Sequence, residues 1–214
     1  LLLDASPGFA EQDKSSLRAF PTKTELFEYD AVLVGDVDPA QLPRAQQAFA
    51  DLAEFVKVRG GGLLFLAGEA ANPHKLFATP LGPLLPVSPS DAAPRDGSGP
   101  KPTPDFTPLT DGYRPRLTPL GQTHPLFRLA ADDAENARVW AGLRPLLWAA
   151  GGYKRKPTAE VLAVHPDRPA EGAPGENHPV ALQQFVGGRV LFLAFDETWR
   201  WRFRSGEKRF DQFW

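Results

Sequence analysis

Residues 31–67 read AVLVGDVDPAQLPRAQQAFADLAEFVKVRGGGLLFLA, and this stretch decides the fold. Ala31–Gly35 is a continuous apolar run, the pattern of a strand buried on both faces, halted by Asp36-Val37-Asp38-Pro39. Pro43 suits the first position of a helix. From there Ala45, Ala48, Phe49, Leu52, Phe55 and Val56 recur at three- and four-residue intervals, which places them on one helical face. Gly60-Gly61-Gly62 ends that helix, and Leu63–Ala67 is a second buried strand. Strand, crossover helix and strand within about 35 residues make a βαβ unit with parallel pairing.

Towards the N-terminus, Glu25–Tyr29 predicts one helical turn, and Ala5–Lys23 reads as a loop behind the short apolar run Leu1–Leu3. Towards the C-terminus, a short helix is expected around Pro73–Phe77. Pro86–Pro119 then holds nine prolines, a density that forbids regular helix and central strand, so an insertion across the surface is expected there. Ala137–Trp148 is an apolar, partly helical cluster interrupted by Pro145. Ala159–His165 and Val180–Val186 are strand-like and flank a Pro/Gly loop at Pro166–Pro179. Gly187-Gly188 turns into Val190–Phe195, another buried strand, and Lys208–Trp214 has the pattern of an amphipathic helix. The sum is one α/β domain over residues 1–214, with a mostly parallel (mixed) central sheet and flanking helices. The chain opens inside an apparent strand and holds no methionine, so it is expected to be an excerpt of a longer protein.

Composition narrows the function. A net charge of -2 argues against a nucleic-acid partner, since such domains carry a basic excess or face. The absence of cysteine removes disulfides, thiolate metal sites and a cysteine nucleophile together. No apolar run reaches the roughly 18 residues that span a bilayer, so no membrane insertion by this segment is expected. His74, His124, His165 and His178 are widely spaced, none at the i, i+4 spacing of a helical zinc site, and read as lone structural or solvent-facing loop residues. No cofactor and no metal are expected.

Two stretches carry a resemblance. One is FAEQDKSSLRAFPTKTELFEYDAVLVGDVDP leading into FVKVRGGGLLFLAGEAANP; the other is GGRVLFLAFDETWRWRF with FDQFW. Together they resemble the glutamine-amidotransferase-like domain of large bacterial membrane-anchored proteins that also carry a von Willebrand factor A domain. The resemblance covers most of residues 1–85 and 180–214, and Asp196-Glu197-Thr198-Trp199-Arg200-Trp201 is its most specific piece. It implies a flavodoxin-like, class I amidotransferase-like fold and an envelope-associated parent protein. Active members of that fold place a cysteine in a sharp turn after one strand and a histidine after a later one, an activated nucleophile and its base. Here Ala67 or Gly68 takes the place of the cysteine and Asp196 that of the histidine. A methyl group or a hydrogen cannot attack a carbonyl. The resemblance therefore implies a pseudoenzyme, an interaction or ligand-binding module whose protein or small-molecule partner the residues do not name.

Two features are candidates for that role. Asp36 and Asp38 follow the first strand, Glu69 the second, and Asp196 with Glu197 the last. If these strands run parallel, five carboxylates share one edge, where open α/β sheets bind their ligands. Oxygen-rich edges suit hard cations, which gives a second reading as a metal-assisted hydrolase; capping and pairing with Arg200 and Arg202 is the structural alternative. The second feature is Trp199-Arg200-Trp201-Arg202-Phe203-Arg204, which in extended form puts aromatics on one face and guanidiniums on the other. Trp199 and Arg200 join the carboxylates as candidate ligand contacts.

Overall fold

The computed structural model describes residues 17, 19–90, 111–202 and 207–214. Its βαβ unit has the expected order and parallel pairing, but its first strand lies at the sheet edge with Ala31 and Leu33 exposed, so the expectation of a strand buried on both faces is corrected. Strand β1 (Ala31–Val34) runs parallel to β2 (Gly62–Leu66), in a register that sets Ala31 against Gly62 and Val34 against Phe65. Helix α1 (Lys23–Leu26), opened by a Thr22/Glu25 capping box, precedes β1, and the crossover helix between the two strands is α2 (Ala45–Glu54). Helix α2 starts two residues later than Pro43 predicts, because Arg44 is its N-cap in the left-handed region at φ 56. Ala48, Phe49, Leu52 and Ala53 turn inward, as the spacing requires.

The helix then widens into a π-turn over Phe55–Arg59 and stops at Gly60, whose φ of 81 a residue with a Cβ rarely adopts. That turn is wedged against the hairpin of β7 (Asn177–Val186) and β8 (Gly188–Leu193). A Cβ on Gly187 would lie 2.4 Å from the Lys57 carbonyl oxygen, and one on Gly188 2.0 Å from that of Gly61. The Gly-Gly pair is there for close backbone approach as much as for turning.

The remaining strands are β3 (Val87–Pro89), β4 (Arg116–Leu117), β5 (Tyr153–Arg155) and β6 (Glu160–Pro169). The main sheet runs β1-β2-β8-β7-β6-β4, and β3 with β5 forms a separate antiparallel ribbon. Strands β1, β2 and β8 are mutually parallel; the β8/β7, β7/β6 and β6/β4 pairings are antiparallel. The sheet is therefore mixed, and the expectation of a mostly parallel one is corrected: three of its five pairings are antiparallel. The tight Gly187-Gly188 turn forces the β7/β8 pairing and the short link from Pro169 to Asn177 the β6/β7 one, since connections that short reverse the chain and join only antiparallel neighbours.

Three further expectations change. The Pro166–Pro179 loop is shorter than its prolines imply, because β6 continues to Pro169 and β7 begins at Asn177, with register shifts between them absorbing the prolines. Trp199–Arg202 is not extended: Glu197–Trp201 forms a 3₁₀ helix capped by Arg202, so the alternation of faces does not arise over these residues, and Phe203 and Arg204 lie outside the described residues. The proline-rich insertion contributes β3 and β4 at its two ends, while residues 91–110 lie outside the described residues, as do Leu1–Leu3. Helices α3 (Pro119–Thr123), α4 (Asp133–Gly142) and α5 (Glu207–Phe213) complete the fold. Phe65, Phe192, Phe195 and Phe55 are fully buried at its centre, joined by Trp201, which the α5 residue Phe213 meets edge-on at 5.2 Å. Among the described residues, no helix is long and apolar enough to cross a membrane.

Candidate functional site

Parallel alignment of β1, β2 and β8 brings the five predicted carboxylates to one edge of the sheet. What each then does differs. Asp36 accepts hydrogen bonds from three successive backbone amides of the loop after β2: Ala70 at 2.7 Å, Ala71 at 2.7 Å and Asn72 at 2.8 Å. Asn72 answers by donating its side-chain amide to the Leu66 carbonyl at 2.7 Å. One aspartate and one asparagine thus fasten the turn after β2 onto the end of β1.

Within that turn, the Ala67 amide donates to Leu193 of β8 at 2.8 Å, and Gly68 donates to Asn72 at 3.0 Å. A Cβ on Gly68 would sit 2.2 Å from Cγ of Asp36, inside any real contact distance. Only glycine fits there while Asp36 holds the loop.

Asp38 forms an ion pair with Lys75 at 2.6 Å and accepts from the Ala40 amide. Glu197 is buried and accepts from the amides of Leu147 and Trp148, the latter at 3.1 Å, with Arg200 at 3.8 Å on its other oxygen. Glu69 is exposed. Asp196 is held above the usual carboxylate range by partial burial and by the neighbouring Glu197 charge, against a hydrogen bond from Trp148. Among the described residues no three His, Asp or Glu side chains are placed to hold a metal ion. The edge gathers the five carboxylates by topology and then engages Asp36, Asp38 and Glu197 in fastening loops. Trp199 is half exposed beside it, with the Arg200 guanidinium 5.6 Å from its ring centroid.

A second cluster lies on β6 and β7 and was missed by the sequence. Val164 pairs with Pro179, and just beyond that pair, where the register shifts, His165 and His178 lie within electrostatic reach of each other. Tyr113 stacks on His165 at 4.1 Å, and Tyr153 packs on His178 at 4.8 Å. His165 and His178 are strand residues and buried, not solvent-facing loop residues. The following prolines hid this, since X-Pro reads as turn. Burial, reinforced by the Arg168 charge, pushes His178 down to about 4, and the same two causes lower His165.

This layer touches the segment that covers the sheet edge. His178 donates through Nε2 to the Ala150 carbonyl at 2.8 Å, and Arg168 donates to the Ala149 carbonyl at 3.2 Å. The Gly152 amide donates to Glu171 at 2.8 Å. A Cβ on Gly151 would lie 2.1 Å from the Arg168 guanidinium, so the segment passes directly over that cation. His74, lowered by burial, bonds the Gly151 backbone from the β2 side. Neither a family model nor a curated protein sequence matches the chain.

Proposed function

We propose that the chain is a catalytically silent class I glutamine-amidotransferase-like domain, flavodoxin-like in its parallel half. In this reading it serves as an interaction or ligand-binding module of a bacterial envelope-associated protein whose full chain is membrane-anchored. One observation carries it: the position where the resemblance puts the nucleophile is sterically closed. A residue with a side chain at Gly68 meets the Asp36 carboxylate at 2.2 Å, and the neighbouring Ala67 is buried and has only a methyl group. At the position of the base stands Asp196, a carboxylate with Glu197 and Glu69 in its field. The chemistry of the resembled enzymes needs a thiolate with an imidazole in reach, and the two positions offer a methyl group or a hydrogen and a carboxylate instead.

The same residues support a binding role. Asp36 and Glu197 make the edge rigid, and Trp199 presents an aromatic face at its rim. Rigid surroundings and an exposed aromatic side chain are what recognition sites use. The test is direct. Incubated with glutamine, the purified chain is expected to release no ammonia above the protein-free control; release in proportion to protein concentration would sink the reading.

A further inference from the structure

The main sheet ends at β4, which is two residues long and pairs only with Ala163 and Val164 of β6. Where that edge gives way to the β3/β5 ribbon lies a groove of about 860 Å³, lined by β4, β5, β6 and the link from β6 to β7. Small-molecule sites occupy roughly 300–1,000 Å³, so the groove is large enough for one. Its floor comes from an irregularity. Val161 and Val164 are three residues apart and would point to opposite faces of a regular strand, but the register shifts between them bring both to the groove. Leu117 joins them, and all three are half-buried.

The charges on the wall are Arg116, Lys154 and Arg155 against Glu171 and Glu176. Both carboxylates are engaged. Glu176 pairs with Arg155 at 3.6 Å, and Glu171 accepts from the Gly152 amide at 2.8 Å. Arg116 is held in another way. One of its terminal nitrogens donates to Oδ1 of Asn177 at 2.9 Å. Asn177 is itself braced, donating its side-chain amide to the His165 carbonyl at 3.0 Å and the Pro166 carbonyl at 2.6 Å. A neutral amide orients the guanidinium without cancelling its charge. Among the described residues Arg116 has no carboxylate partner.

We propose that this groove binds a small organic acid, whose anionic group takes the Arg116 guanidinium and whose apolar body lies on Leu117, Val161 and Val164. A cation would face three like charges and two carboxylates already in use. A neutral apolar molecule would fit the floor but cover the Arg116 charge without pairing it, which costs free energy. A bare inorganic anion would meet the charge and leave the floor wet. An acid with an apolar body answers both, and a guanidinium is the side chain best shaped for it. The groove shares no residue with the carboxyl ends of β1, β2 and β8, so the proposal stands apart from the amidotransferase reading.

Two dyes test it, because they share one aromatic body and differ in the acid. Anilinonaphthalene sulfonate carries a sulfonate group, and N-phenylnaphthylamine carries none. Titrated by fluorescence against the full chain, the sulfonate is expected to bind saturably and more tightly than the neutral dye. Arg116→Gln is expected to weaken the sulfonate about tenfold, the loss of one charge-assisted contact, and to leave the neutral dye unchanged. Arg116→Lys keeps the charge and is expected to recover part of the affinity. Absence of saturable sulfonate binding, or equal affinity in Arg116→Gln, overturns the proposal. Leu33→Ser locates the dye, since Leu33 is 55% exposed on β1 at the opposite edge of the sheet. Unchanged sulfonate binding is expected there, and a loss matching that of Arg116→Gln would overturn the assignment to the β4 groove.

Discussion

The two halves of the sheet handle buried polarity in opposite ways. At the parallel half, Asp36 and Glu197 use their carboxylates to hold backbone amides of neighbouring loops. At the antiparallel half, Tyr113, His165, Tyr153 and His178 form a layer of neutral rings, two of which keep an unmatched polar atom. The residue types pointed the other way. Clustered carboxylates look like chemistry, and scattered histidines look like decoration. A polar side chain marks a site by what it leaves unpaired, and the carboxylates of Asp36 and Glu197 leave little.

The largest expected effect belongs to the ring layer. His178 titrates at about 4 in the folded chain against an ordinary 6.5. A depressed histidine contributes stability that is complete above pH 6.5 and is lost as pH falls towards 4, because the unfolded chain takes up the proton first. That gap corresponds to about 3 kcal/mol at about 1.36 kcal/mol for each pH unit. Arg168 and His165 face the ring and act in the same direction. Urea unfolding between pH 7 and pH 4 is expected to show the unaltered chain losing about 3 kcal/mol more than His178→Phe, which has no proton to take up there. Parallel pH profiles for the two proteins would remove the contrast between the halves.

Glu197→Ala comes next and probes the parallel half. It strands the amides of Leu147 and Trp148, the second of them buried, and frees the segment that lies over Arg168. Losing a charged acceptor from two amides is expected to cost about 2–3 kcal/mol in urea unfolding, with Glu197→Gln recovering part of it. A cost under about 0.5 kcal/mol, the level of an ordinary surface change, would mean that Glu197 is free for other work.

Legibility in the sequence followed the range of the interactions. The βαβ unit was readable because continuous apolar strands and a three-to-four repeat are local signals, and so was the helix at Glu207–Phe213 with Phe213 turned inward. Convergence of the five carboxylates followed from the parallel strands alone. Their engagement did not, since the partners of Asp36 lie 34 to 36 residues away and those of Glu197 49 and 50. The ring layer was hidden twice. Its members come from residues 113, 153, 165 and 178, and read from the sequence the prolines put His165 at the last position of its strand and His178 in a loop. Register shifts that let a strand accept a proline leave no local mark.

The smallest effect examines the closed turn itself. Gly68→Ala adds a Cβ 2.2 Å from Cγ of Asp36, and either the carboxylate gives up its grip on Ala70, Ala71 and Asn72 or the turn shifts. Overpacking of this kind is expected to cost about 1.5 kcal/mol. Asp36→Gly removes the obstacle, Cβ at 2.3 Å and Cγ together, as well as the three hydrogen bonds, so the two changes share one cause. Combined, they are expected to cost about 1 kcal/mol less than the sum of the single variants, a coupling that independent sites would not show. Additive costs would mean that the turn relaxes away from Asp36 without strain. A side chain could then stand at Gly68, and steric closure would no longer account for the absence of a nucleophile at this edge.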